Sequence, residues 1–345
     1  MQPKQRIWDT TTALSADFSK AWDGRLAKAD FAHFALRLDW LQWEAKHGRH
    51  ARAVLVDDGG RKALLVLRRD KRGWHCGWPW RTQIAFERGG ADGEMGLDRE
   101  TADWAFEQAQ RAGAGDRVRV FLPASTLGRG ALTRGTTIVK DLALDDEKLL
   151  ASLDSDKRRQ IRKLEKAGWE VIEGTTAEHF RAFRQLQFDN DARLGHGTPT
   201  PMVERPAPGE DWREWELPWQ WLLLAVHEGV VHAGSGYGRA ANGMVDYRAN
   251  ASTPEGRKAG ANALVAWAAL RLARDGGWTR MNWGGNTTFK KQLGGEPVVM
   301  SDRLGGGPLW AAPNAVEVAV GRTRAKLAKW VKERRAKPGR KDAKS

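Results

Sequence analysis

Hydrophobic and polar positions alternate along this chain with two periods, and each switch between them marks an element. Near Arg6–Thr11 the period is two and predicts a strand; helical periods follow at 17–28 and 31–47. AVLVDD (53–58) and RKALLVLRR (61–69), split by Gly59-Gly60, predict a hairpin. A Trp-rich stretch at 73–86 adds one more strand, and a Gly-rich loop leads to a helix at 98–112. RVRVFL (117–122) and GTTIVKDLAL (135–144) are strands, the second closing this half.

The second half repeats that order. A helix at 146–167 precedes strand WEVIEG (169–174), a helix at 177–192 and a Gly/Pro-rich loop at 195–211. WLLLAVH (221–227) turns at Glu228-Gly229 into VVHAGSGYGR (230–239), which turns at Asn242-Gly243 into MVDYRANA (244–251). A helix at 257–274, strand WTRMNW (278–283), a short helix at 287–293 and strand PVVMS (297–301) complete it. Residue identity between the halves is low, so the repeat is one of architecture. The predicted class is α/β (α+β): two tandem domains, 1–145 and 146–312, each a mixed, mostly antiparallel sheet flanked by helices, followed by a basic helical tail at 313–345. The 257–274 helix is long enough to be a crossover that returns the chain parallel to 244–251. One parallel pair in an antiparallel sheet leaves backbone groups open at its carboxyl end, where ligands gather.

Composition narrows the class. Hydrophobic content of 41% with 29% charged residues suits a soluble globular protein. No apolar run approaches the roughly 18 residues that cross a bilayer, and the first residues, MQPKQRIWDTTT, lack an apolar signal core. Cys76 is the only cysteine, which excludes an internal disulfide and predicts a cytoplasmic setting. The net charge of +14 is uneven: from Arg322 onward 11 Lys/Arg face two acids, so the tail carries +9 and the body +5. A general nucleic-acid surface on the body is thereby disfavoured. The tail is either a solvated end or a contact for tRNA, rRNA or an anionic membrane, with Leu327, Trp330 and Val331 giving a basic helix one apolar edge.

The densest candidate chemistry is NWGGNTTFKKQLGG (282–295), a strand running into Gly-Gly, a polar turn and a short helix with Lys290 and Lys291. A lysine beyond a strand end suits a phosphate or a developing negative charge; the alternative is a solvated cap. Asp246 and Tyr247 lie on the strand before the crossover, so one of them faces the gap. Aspartate can take a proton from an amine and tyrosine can return one to a leaving group; core packing is the alternative for Tyr247 and for Tyr237. Arg158, Arg159, Arg162, Lys163 and Lys166 make one helix basic, for phosphate contact or simple solvation. His227 and His232 lack a third ligand for zinc, Cys76 lacks a catalytic partner, and no G-x-x-x-x-G-K-[ST] loop occurs.

The order of elements resembles the GNAT acyltransferase fold, and two such halves in tandem resemble the FemAB family over about residues 15–310. SDKRRQIRKLEKAGWEV (155–171), FDNDARLGHG (188–197), ANALVAWAALRLARDGG (261–277) and FKKQLGG (289–295) carry the likeness. It implies amide formation, with an acyl group passed to an amine from aminoacyl-tRNA, as in FemAB proteins building cell-wall precursors, or from acyl-CoA. No bound cofactor is expected beyond that cosubstrate. The resemblance places Lys290 in the family's Phe-Lys turn, and Arg193 and Lys46 on the acceptor side. Arg257 and Gly260, joined by Lys291, fall on the donor side, because Arg257–Asn262 is similar to the GNAT pyrophosphate turn R-x-x-G-x-G/A. Asn262 stands where that turn has Gly or Ala, which favours tRNA over CoA. A peripheral membrane contact through the tail is a further expectation.

Overall fold

A computed structural model describes residues 4–30, 33–77, 84–87, 99–124, 132–194, 217, 219–240, 243–310, 314–317, 319, 320 and 323. The loop expected at 195–211 and the tail beyond residue 323 lie outside the described residues. The first half supplies β1 (Lys4–Asp9), β2 (Ala29–Asp30), β3 (Ala51–Asp57), β4 (Lys62–Asp70), β5 (Gly73–Cys76), β6 (Ile84–Glu87), β7 (Val118–Pro123) and β8 (Leu132–Asp141). Its helices are α1 (Ala16–Leu26), α2 (Leu38–Lys46) and α3 (Arg99–Ala112). The second half supplies β9 (Glu170–Glu173), β10 (Gln220–His227), β11 (Val230–Arg239), β12 (Met244–Ser252), β13 (Arg280–Asn282) and β14 (Glu296–Gly305). Its helices are α4 (Asp146–Ala151), α5 (Ser155–Lys166), α6 (Ala177–Leu194), α7 (Pro254–Ala259), α8 (Ala261–Asp275) and α9 (Thr288–Gln292).

Caps and turns set several boundaries. The expected helix at 146–167 is two, because Asp154 accepts a hydrogen bond from Asp156 N and starts α5 afresh. The expected helix at 257–274 begins earlier, at Pro254, and breaks at Gly260, whose φ of 90° is left-handed. The helix expected at 31–47 is instead a 3-10 turn at Phe34–Leu36 followed by α2, because Arg37 is extended. Its apolar residues Phe34, Ala35 and Leu36 are all buried, so the apolar pattern there reflects packing on several sides rather than one helical face. Between β10 and β11, Glu228 and Gly229 both have positive φ, the twist a two-residue hairpin requires.

All strands join one sheet, ordered β1-β3-β4-β5-β7-β14-β8-β13-β12-β11-β10-β9, with β6 and β2 attached at β4. Pairing is antiparallel except for β5–β7 and β12–β13, one parallel pair in each half. β8 does not close the first half by itself. It runs antiparallel to β13, while β14 lies between β8 and β7, so each half ends on a strand that pairs with the other. β8, Trp221 and Leu223 of β10 and Tyr237 of β11 share one apolar cluster with α4, α5 and α8. Phe180 and Phe183 of α6 cover the opposite face of the second half.

The halves also dock through side chains. Phe34 and Trp40 pack with Trp219, Ala240 and Met244 in one buried cluster, the Phe34 and Trp219 rings stacking at 5.4 Å. Gly238 makes room: a Cβ there would stand 2.7 Å from two Phe34 ring carbons. Beneath, Arg68 pairs with Glu44 at 2.6 Å and donates to Ala35 O at 3.3 Å, so the buried charges are matched. Gly238→Ala is expected to lower stability by about 1–3 kcal/mol through overpacking, read as a lower denaturant midpoint at unchanged slope. A wild-type midpoint would mean that Phe34 is not held against this strand.

Candidate active site

The site begins where β12 and β13 part. Three residues pair in parallel, Met244 with Arg280, Val245 with Met281 and Asp246 with Asn282, while β12 continues alone to Ser252. Trp283 N donates to Ile138 O, so the departing chain stays on β8. Asn282 Oδ1 accepts from Gly284 N at 2.9 Å and from Thr137 Oγ1 at 2.5 Å, and Gly285 N donates to Thr137 Oγ1 at 3.2 Å. The turn is tied at its far end by Trp283 Nε1, which donates to Gly294 O at 3.2 Å. Gly294 has φ of 76°, and a Cβ there would sit 2.5 Å from Ser152 O; only glycine fits so close an approach.

Thr287 caps α9 and fixes the direction of Lys290. Lys290 Nζ donates to Gly284 O at 2.7 Å and lies 5.0 Å from the centre of the Tyr247 ring. Tyr247 is edge-on to both Tyr237 and Trp283. Burial pushes its hydroxyl pKa well up, with Tyr237 adding to the effect, so the phenol stays protonated. A cation, a protonated phenol and a parted pair of strands thus converge on one face of the sheet.

Asp246 is on the other face. Met244 packs with Phe34 and Trp219, whereas Val245 and Tyr247 pack with α8, so Asp246 turns toward the first half. There its Oδ1 lies 3.2 Å from His33 Nε2, with both side chains buried. Next along β12 is a bulge: Tyr237 pairs with Tyr247 but Gly236 pairs with Ala249, leaving Arg248 unmatched in the ladder. Arg248 donates to Gln220 Oε1 and lies 4.8 Å above the rings of Phe34 and Trp40.

The remaining candidates are spread out. Arg257 donates to Ser252 O at 2.6 Å and is held on backbone. Gly260 is met by Gln160 of α5, 2.9 Å from where its Cβ would be. Asn262 Nδ2 donates to Ser252 Oγ at 3.3 Å, and its Oδ1 is buried with no hydrogen bond among the described residues. α5 links this turn to the Phe-Lys turn: Lys157 donates to Gln160 at 3.1 Å and lies 5.4 Å above the Phe289 ring. Lys291 is exposed, as is Lys46 at the end of α2. Exposed Arg193 donates to Asn190 Oδ1 at 2.8 Å, one residue before the described part of α6 ends. His227 and His232 flank Trp169, at ring distances of 4.8 and 4.9 Å; Cys76 is buried in the first-half core.

Sequence reading missed His33, Arg248, Thr137 and Lys140. Only the strand pattern expected at 135–144 places Thr137 and Lys140 on opposite faces; nothing local marks His33. No protein-family model matches the chain, and no curated protein matches it by sequence. Solved structures do. A crystal structure of FemX superposes with a TM-score of 0.63 at 14% identity, over 90% of this chain and 99% of that one. The chain has the FemX fold. The C-terminal domain of a chain described as a lysylphosphatidylglycerol synthetase from Agrobacterium fabrum gives 0.55 at 14% identity, over 90% and 96%. A protein of unknown function from Bacteroides thetaiotaomicron gives 0.56 at 9% identity, over 85% and 97%. The superposition on FemX spans most of both halves of this chain.

Lys140 adds a titrating group under the site. Buried behind Gly294, it donates to Ser152 Oγ at 2.6 Å, and burial lowers its pKa from 10.5 to about 8. Between those values the unfolded chain binds more protons, so stability rises with pH through the window and burial costs most below pH 8. Lys140→Met is expected to raise the denaturant midpoint near neutral pH, with the gain shrinking from pH 8 to 10.5. A lower midpoint would mean that the bond to Ser152 outweighs the cost of burial.

Proposed function

We propose that this chain is an acyltransferase that forms an amide bond, passing an aminoacyl group from aminoacyl-tRNA to an amine of a cell-wall peptide or amino-sugar precursor. The observation that carries the reading is Lys290, fixed 5.0 Å from the Tyr247 ring where β12 and β13 separate. Attack of an amine on an ester carbonyl places negative charge on oxygen, and a preorganised ammonium in a partly buried site stabilises that charge. The C–N bond forms and the C–O bond to the terminal ribose breaks. The nitrogen loses a proton to a base, for which Asp246, on the opposite face of β12 where it parts from β13, is the carboxylate. The departing oxygen takes one from Tyr247, and the two groups re-equilibrate through water after release.

The choice of tRNA over CoA is supported at Gly260. A pyrophosphate turn needs its helix-start amides open to the ligand, whereas Gln160 packs onto this glycine and Asn262 replaces the usual small residue. The fold shared with FemX is in keeping with transfer chemistry. No helix among the described residues is long and apolar enough to cross a membrane; contact of the +9 tail with tRNA or an anionic bilayer is part of the proposal.

The purified protein is expected to transfer label from an aminoacyl-tRNA pool to an amine acceptor. Transfer from acetyl-CoA instead would assign it to the CoA-dependent class, and transfer from neither would favour a non-catalytic binding protein. With the active donor, Lys290→Ala should lower kcat/KM by about 100-fold or more; undiminished turnover would remove Lys290 from the site.

A further inference from the structure

Asp246 is placed unusually for a core residue. It is 1% exposed, and it is the last residue of β12 paired with β13 before the strands part. Neither Oδ1 nor Oδ2 makes a hydrogen bond among the described residues, and the imidazole Nε2 of His33 lies 3.2 Å from Oδ1. A carboxylate held out of water with so few donors is costly to keep, which points to a use for it.

His33 is fixed for one task. Its Nδ1 accepts from Ala35 N at 3.0 Å, so the proton of the neutral ring is on Nε2, the nitrogen that faces Asp246. The ring lies 4.4 Å from that of Phe34, which is wedged over Gly238 on the strand beside Asp246. The first half therefore brings the protonated ring nitrogen to within 3.2 Å of a carboxylate of the second.

We propose that His33 is a positioning residue for acyl transfer: its Nε2–H holds one oxygen of Asp246 where the strands part, so that the other oxygen takes the proton of the acceptor amine. The inference rests on the acyltransferase reading above and assigns the first half a part in the chemistry. The amine reaches Asp246 from the face between the halves, while the donor carbonyl lies on the Lys290 side of the same gap. As the C–N bond forms, the N–H electron pair stays on nitrogen and the proton passes to Asp246. The bond to the donor oxygen breaks, and that oxygen leaves protonated. The 3.2 Å contact is expected to shorten when the acceptor amine engages Asp246.

Two substitutions separate positioning from support. In His33→Asn the amide oxygen can take the place of Nδ1 and keep the turn capped, but the side chain is too short to reach Asp246. In His33→Gln the amide nitrogen can stand where Nε2 stood. With whichever donor the wild type uses, His33→Asn should lower kcat about tenfold or more with KM for donor and acceptor unchanged. His33→Gln should recover most of that loss. Full kcat in His33→Asn overturns the inference while leaving the acyltransferase reading intact. Equal losses in both variants that follow a fall in melting temperature also overturn it, making the contact structural. A wild-type protein that passes neither an aminoacyl nor an acetyl group to an amine removes the underlying reading, and this inference with it.

Discussion

The short parallel pairing of β12 with β13 is the constraint on which the rest of the molecule turns. Three residues of ladder hold β13 on one side, and β8, a strand from the other half, holds it on the other. A strand so short would leave its backbone groups unmatched without both neighbours. The point at which β12 is left alone is thus set by the first half as much as by the crossover helix α8. Everything that makes the region chemically interesting hangs from that point: the turn tied by Trp283 and Gly294, the ammonium of Lys290 over Tyr247, and Asp246 with His33.

Two faces of one strand carry different kinds of polarity. On the α8 side a cation sits against buried aromatic rings, an environment that resists penetration by water and strengthens its field. On the opposite side a carboxylate and an imidazole meet among Phe34, Trp219 and Met244. The bulge at Arg248 separates this arrangement from the rest of β12, after which Ala249 and Ala251 pack against the α6 face. A regular strand would have kept the alternation in step; the extra residue lets the segment before it serve the site and the segment after it serve the core.

Much of this was legible in the sequence. Period-two alternation gave the meanders, and an Ala/Leu-rich stretch too long for a turn gave the crossover and hence the parallel return of β13. The Gly-Gly strand end located Lys290. Alternation along MVDYRANA also implied that Asp246 and Tyr247 point apart, and they do. What stayed hidden depends on distance along the chain. Nothing local in GTTIVKDLAL says that β8 pairs with β13 and β14 rather than with its own half, because pairing partners leave no periodic trace. His33 was concealed for a different reason: its apolar neighbours are buried on several sides, and that reads as a helix. The role of Gly238 was equally invisible, since it is defined by a phenylalanine from the other half.

The exchange of closing strands has a consequence for synthesis of the chain. When β8 leaves the ribosome, neither of its neighbours, β13 and β14, has yet been made. The first half must therefore wait with an unpaired strand edge exposed while more than a third of the sequence is made, the situation in which nascent proteins pair wrongly or recruit chaperones. Sheet completion comes late, at the centre of the sheet rather than at its rim. The two halves mature together, and the gap between β12 and β13 acquires its final shape only after β13 and β14 have been made.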